Sequence, residues 1–370
     1  MKSLVALTGQ VGARDDLVEL GELDMGGVPV RFALMETERP SFDPEDPAQA
    51  DRVLVQATVV SCNFRDKSIL VENVSGKEQH GRPFVPFGSE FCGPVVACGT
   101  RVTGLSVGDR VMGNCAYPAA PAEGVRPGVA TNFASLGWLR LHAAKLIRVP
   151  QEMDDVQAAS FAIGAQTAAG MIRRSGLLER GGVPVIFSSR SVTSLFLAQQ
   201  LAALGFAPDC LTTSEWTDAE RSAIPQARVI RHAPGDPPRS LYARCTHAFD
   251  PFFDTNLEAA TRLLQTEGTY VTCGLRDQHP RLSDGTPETA GVAVRSALAL
   301  SVVKNLTIKG NCLGTSDDLE RALNVFRINR QGPVIDRIYT PEEGLDFVRR
   351  SFFDRARFGK TSLRLSTTPC

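Results

Sequence analysis

An apolar run, Pro184 to Phe187, leads directly into a cluster of hydroxyls: Ser188, Ser189, Ser191, Thr193 and Ser194 around Arg190. Apolar residues then recur at helical spacing through Leu197, Leu201 and Leu204. The pattern predicts a buried strand, a tight turn and a helix. A turn of this kind that holds a dinucleotide normally reads G-x-G-x-x-G, because only glycine lets the backbone approach a pyrophosphate. Here no glycine is present. The segment predicts either a cradle built from other groups or a fold that keeps its shape and has lost the ligand.

Two features favour the first alternative. A helix N-terminus offers free N–H groups and a positive dipole end to phosphate. Ser189, Arg190, Ser191 and Val192 stand at that point, and Arg190 could grip a phosphate through both arms of its fork. Against this, each added Cβ crowds the approach, and the serines could simply cap the helix. About twenty-five residues on, a second apolar strand ends in Thr212, Thr213, Ser214 and Glu215. An acidic strand tip suits the ribose hydroxyls of NAD. The hydroxyl tip at Thr213 and Ser214 tolerates a 2′-phosphate and points to NADP (NADPH), while Glu215 keeps NAD open.

The chain has 370 residues, 43% of them hydrophobic and 22% charged, with a formal net charge of -1. This suits a globular protein of about two domains. No basic stripe marks a nucleic-acid partner. No apolar run is long enough for a membrane span, and the N-terminal apolar stretch is too short for a signal peptide. The nine cysteines are scattered and form no C-x-x-C pair. This predicts reduced thiols in a cytoplasmic protein and no zinc motif.

Residues 1–35 read as short strands between glycine turns, and 36–47 as an acidic, proline-rich loop. Residues 52–60 read as a strand. Residues 85–113 alternate strand and turn, with glycines spaced for a compact β-barrel. Residues 116–130 read as a long loop of the kind that often binds ligands. From Asp154 and Asp155, which read as a capped helix entry, strands (183–188, 209–213, 246–250, 269–274) alternate with helices (191–204, 256–266). That alternation predicts a parallel sheet covered by helices. A helix over 319–328, a strand over 334–339, a helix from Pro341 and a closing strand over 359–365 follow.

Four short motifs occur in order: Asn63-Phe64-Arg65-Asp66; Gly88, Glu90, Gly93 and Val95; Gly108-Asp109-Arg110-Val111 with Gly113; and Ala158-Ala159 with Thr167-Ala168. A terminal Gly359-Lys360 strand closes the series. Together they resemble the medium-chain dehydrogenase/reductase superfamily over nearly the whole chain, and Asn63 to Asp66 resembles its quinone and enoyl reductase branch. The resemblance implies an α/β chain in two parts: a GroES-like β-barrel domain from residues 1–155 and 325–370, and a Rossmann-like, doubly wound parallel-sheet domain from 156–324. It also implies a homodimer through edge pairing of the parallel sheet.

In zinc-dependent members of the family a Cys, a His and a second Cys hold the metal. Asn63, Ser89 and Ile163 occupy those positions here, so no zinc is expected. Conjugate reduction of an α,β-unsaturated carbonyl needs no Lewis acid, because hydrogen-bond donors can stabilise the enolate. The resemblance therefore implies hydride transfer from NADPH to an activated C=C bond in an enoyl, enone, quinone or dehydroamino-acid substrate, either a small molecule or peptide-borne. It places Asn63 at the catalytic cleft; Arg65 is a candidate donor to a substrate carboxylate or phosphate, and Tyr117, the one tyrosine in the first half of the chain, is the candidate proton donor. Thr167, Gly274, Leu275 and Asn311 join Ser189, Arg190, Ser191, Val192, Thr213 and Ser214 along the cofactor. A turn-capping role for Asn63 and a surface ion pair for Arg65 are the structural alternatives. The functional alternative is a non-catalytic or non-redox relative (a scaffold, a peptide or carrier binder, or a lyase) that no longer binds a dinucleotide.

Overall fold

A computed structural model describes residues 1–8, 16–75, 83–275 and 294–365. Its central element is a six-stranded, all-parallel sheet. The spatial order is Arg228–Arg231, Asp209–Thr212, Pro184–Ile186, Cys245–Asp250, Leu264–Thr272, Thr307–Gly310. Numbered along the chain this is 3-2-1-4-5-6, the doubly wound arrangement. The strand order reverses beside Pro184–Ile186, which puts the hydroxyl turn at the switch point of the sheet. The helices Ala162–Ser175, Val192–Ala203 and Ser316–Asn329 pack together on one face of the sheet, and Phe253–Leu263, with Val294–Val303 against it, packs on the other.

The remaining strands form a barrel and a four-stranded flank. The barrel path runs from Leu146–Arg148 through Arg110–Gly113, Glu90–Cys98 and Val59–Ser61 to Lys360–Arg364 and Ile335–Tyr339. The end of the chain is therefore stitched into the beginning, with Ser362 opposite Ser61. Gly93 shows why the second motif needs glycine. A Cβ there would lie 1.9 Å from the Gln56 carbonyl oxygen, where two barrel strands cross.

One core runs continuously between the two parts. It joins Val59, Cys92 and Met112 of the barrel to Phe161, Phe196 and Phe326 of the helical layer. Phe161 meets the other two rings edge-on, with centroids 5.5 and 6.1 Å away. Asp154 caps its helix as expected, in a reciprocal box with Gln157.

Several expected elements change. The strand over 52–60 is two strands, Arg52–Gln56 and Val59–Ser61. They part where Ala57 and Thr58 turn their N–H groups to Gly137 and Cys92. The segment opening at Asn63 continues as an unexpected helix, Phe64–Ser75. A further strand, Arg228–Arg231, forms one edge of the parallel sheet. The helix expected over 256–266 covers Phe253–Leu263, and its strand begins at once with Leu264. The helix Ser316–Asn329 runs across the expected limit at 324 and packs on Ala162–Ser175.

Candidate functional site

The Val59–Ser61 strand delivers Asn63 to the junction of barrel and helical layer, where a buried polar hub surrounds it. Lys360 Nζ donates to Glu90 Oε2 at 2.5 Å, to Asn63 Oδ1 at 2.8 Å and to the Cys62 carbonyl at 3.0 Å. Both charged side chains are 1% exposed. The Asn63 amide donates to Glu90 Oε2 at 2.9 Å and to Ser89 Oγ at 3.1 Å. The other Glu90 oxygen accepts from Ile163 N at 2.7 Å. Asn63 and Ile163 thus converge on one carboxylate, and Ser89 is tied to it through the Asn63 amide. An amide already giving both its hydrogens, a hydroxyl and an aliphatic side chain do not fit zinc as a donor set. Among the described residues no group of three or more His, Cys, Asp or Glu is placed to hold a metal ion.

Asp66 ties the hub to the helix start. Its Oδ2 accepts from Asn63 N at 2.8 Å and Ser89 Oγ at 2.7 Å. Burial raises its pKa in spite of the neighbouring Arg65. Arg65 donates to Asp66 at 3.2 Å and to Asn132 at 2.9 Å, so it links the helix to the loop region that follows the third motif. Burial pushes the Cys62 thiol well up, which leaves it no nucleophile.

At the turn, Ser188 takes φ 47°, the left-handed conformation that the first glycine of a nucleotide loop would supply. Its hydroxyl is held by Asn256 Nδ2 at 3.1 Å, and the same amide donates to Asp250 at 2.9 Å. Asp250 is fully buried at the end of its strand and also accepts from Tyr270 Oη at 2.5 Å and Phe252 N at 2.9 Å. Burial pushes its pKa up to about 6. Ser191 caps the helix by accepting from Ser194 N at 3.2 Å. Ser189 is 2% exposed, and its buried hydroxyl has no partner among the described residues.

The structure gives Arg190 a different engagement from the phosphate fork expected of it. Its two terminal nitrogens lie 2.7 and 2.6 Å from the Glu220 carboxylate, Nη2 also donates to the Ala356 carbonyl at 3.2 Å, and the guanidinium lies over the Phe358 ring. Glu220 is positioned because it closes a capping box with Thr217 at the start of its own helix. Val192 opens the next helix and lies against Gly164, where a Cβ would meet Val192 at 3.3 Å and Phe196 at 2.7 Å. Thr213 and Ser214 are exposed just beyond the Asp209–Thr212 strand, and Glu215 is drawn toward Arg231 at 3.5 Å.

Residues 49–153 match the alcohol dehydrogenase GroES-like domain. Over 142 residues the chain is 31% identical to a quinone oxidoreductase-like protein 2 homolog of Nematostella vectensis, covering 38% of this chain and 34% of that one. Over 172 residues it is 27% identical to a dehydrogenase of Monascus pilosus, covering 43% of each. It thus spans well under half the length of these curated relatives. The whole described architecture superposes on an NAD-dependent alcohol dehydrogenase with a TM-score of 0.72, at 18% identity, covering 99% of this chain and 100% of that one. It also superposes on a 2-octenoyl-CoA carboxylase reductase of Streptomyces with a TM-score of 0.71, at 18% identity, covering 98% and 87%.

The chain has the fold of the medium-chain dehydrogenase/reductases.

In this medium-chain fold the parallel strands present their carboxyl ends on one side. Gly274 and Leu275 follow the Leu264–Thr272 strand, and Asn311 follows Thr307–Gly310. Asn311 N donates to the Thr272 carbonyl at 2.7 Å, which holds the two strand ends together. Thr167 is 7% exposed, midway along the helix that begins beside Asn63. Tyr117 does not join Asn63 and Arg65 through any hydrogen bond among the described residues. Its N–H donates to the Gly314 carbonyl at 2.8 Å, and its half-exposed ring lines a cavity of about 450 Å³ with Arg173, Arg174, Asn311 and Cys312. The predicted residues therefore fall into a hub at Asn63 and Arg65, a turn at Ser188 to Val192, and a wall at Tyr117 and Asn311. Sequence reasoning overlooked Asp250, Asn256 and Tyr270. A lone carboxylate ending an apolar strand was the signal that could have found them.

Proposed function

We propose that the chain is an oxidoreductase of the medium-chain type that reduces an activated C=C bond with NADPH and without zinc. The observation that carries this reading is the hub itself. Asn63 and Ile163 give N–H groups to Glu90 and Ser89 gives its hydroxyl to Asp66, rather than forming a metal donor set, beside a sheet whose carboxyl edge suits a dinucleotide. The fit of the turn supports it: Ser188 supplies the left-handed corner, and the unpaired Ser189 hydroxyl lies at a capped helix N-terminus.

Bound there, NADPH would supply hydride to the β-carbon of an enoyl, enone, quinone or dehydroamino-acid substrate. Arg65 keeps donors beyond the Nη1 that serves Asp66 and Asn132, and these would hold the developing enolate oxygen. Tyr117 would return a proton to the α-carbon. Thr167, Ser189, Ser191, Val192, Gly274, Leu275 and Asn311 would line the coenzyme. Thr213 and Ser214 would meet the 2′-phosphate, with Glu215 held aside by Arg231.

Fluorescence titration with NADPH and NADH tests this, followed by coenzyme oxidation assays with a panel of enones, quinones and enoyl thioesters, with and without chelator. NADPH is expected to bind at least ~10-fold more tightly than NADH, a gap of about 1.4 kcal/mol. Turnover should be unchanged by chelator. Failure of both nucleotides to bind would replace this reading with that of a non-catalytic binder on the same fold.

A further inference from the structure

Arg190, the arginine of the turn, is spent on Glu220, yet a second arginine without a counter-ion lies in the segment that adjoins this turn. Arg357 lies in the short segment between the helix Gly344–Phe352 and the closing strand. Its half-buried guanidinium makes no hydrogen bond or ion pair among the described residues, and its one close contact is the Phe64 ring, 5.5 Å from the centroid. Three neighbouring arginines are matched, and Arg355 is exposed to solvent. Arg65 has Asp66 and Asn132, Arg190 has Glu220, and Arg350 has Asp336 and Asp354. The charges of Asp336 and Asp354 do reach Arg357, but both carboxylates are already bonded to Arg350, and Arg350 repels Arg357. Burial pushes the Arg357 guanidinium below its ordinary value. A cation left without a partner in such a place is costly unless an anion joins it.

Its location specifies the anion. Ala356 accepts from Arg190, and Phe358 lies beneath the same guanidinium. Arg357 itself reaches the opposite way, to Phe64 beside Asn63. It therefore stands between the start of the Phe64–Ser75 helix and the Ser188–Ser191 turn. A dinucleotide laid along the carboxyl edge of the sheet would bring its diphosphate to this gap.

We infer that Arg357, rather than Arg190, is the side chain that binds the coenzyme diphosphate. The inference rests on the dinucleotide reading above. It is tested by titrating NADPH, ADP-ribose and reduced nicotinamide mononucleotide, which lacks the diphosphate, into the wild type, Arg357→Met and Arg357→Lys. Losing one charge-assisted contact should weaken NADPH and ADP-ribose by ~10- to 100-fold in Arg357→Met. Arg357→Lys should fall between, and the mononucleotide should change less than about twofold. Equal NADPH affinity in Arg357→Met and wild type overturns the inference and leaves the reductase reading standing. Equal loss for the mononucleotide also overturns it, by moving the role away from the diphosphate. A wild type that binds none of the three ligands sinks the reading beneath it instead. Should Arg357→Met not fold, Arg357→Lys gives the same comparison: loss confined to the two diphosphate ligands supports the inference, and no loss overturns it.

Discussion

At the scale of single residues, the turn shows how a chain can keep a glycine's backbone shape without the glycine. A left-handed serine is strained by roughly 1–2 kcal/mol. Asn256 holds it by bonding both the Ser188 hydroxyl and the buried Asp250 carboxylate. Asp250 thereby links the turn to the protonation state of the interior. Its pKa is raised from 3.8 to about 6, chiefly by burial, so the folded protein holds this proton more tightly than the unfolded chain. Between those two values the folded state binds more protons, and the contribution of Asp250 to stability falls as pH rises through 6. Asp250→Asn keeps an acceptor for Phe252 N and Asn256 and can donate to the Tyr270 oxygen. The variant's stability relative to wild type should therefore improve steadily from pH 4 to pH 7 and then level off, in urea melts taken across that range. A difference that stays constant with pH would mean that Asp250 titrates alike in both states.

At the scale of elements, the Lys360–Glu90 pair joins the closing strand, the second barrel motif and the first residues of the helix Ala162–Ser175. Removing one partner leaves the other charged and buried. Lys360→Met should cost about 3–5 kcal/mol, and Lys360→Met with Glu90→Gln should recover much of that loss, because no isolated charge remains. Urea midpoints of the two variants and wild type make the comparison; a double variant no more stable than the single one would show that Lys360 acts through packing. These elements differ in how readable they were. The doubly wound alternation was plain, because buried parallel strands are short apolar runs between amphipathic helices. The Arg228–Arg231 strand was not, because it is an edge strand with an arginine at each end and no fully buried residue. The Phe64–Ser75 helix was hidden because its opening residues were read as a motif. Yet Asn63 and Asp66 form a local cap, and Leu70 and Val71 bury its inner face. The partners of Arg190 and Arg357 were beyond reach for another reason. Glu220 lies thirty residues from Arg190, and Phe64 comes from the far end of the chain from Arg357, so only tertiary structure decides which arginine is satisfied.

At the scale of the whole molecule, the two parts meet through buried side-chain bonds as well as a shared core. Gln166 accepts from Cys115 N at 3.1 Å and donates to the Thr315 carbonyl at 2.9 Å, and Ser61 donates to the Ala159 carbonyl at 2.7 Å. The opposite boundary is open. Among the described residues the Thr307–Gly310 strand ends the parallel sheet with a partner on one side only, and Ile308 on it is 41% exposed. The preceding helix adds Leu298, Val302 and Val303, the last two more than three-quarters exposed. An unpaired edge beside an apolar helix face invites a second copy, with the two edge strands pairing about a twofold axis into one continuous sheet. We propose this homodimer. Sedimentation velocity should show a dimer for the wild type and a folded monomer for Val302→Lys with Ile308→Lys. Each buried apolar side chain contributes about 2 kcal/mol, so the pair of changes in each copy should weaken association on the order of a thousandfold or more. A monomeric wild type removes the proposal. A dimer that both lysines leave intact places the interface elsewhere, and Thr307–Gly310 must then be protected from aggregation by some other means.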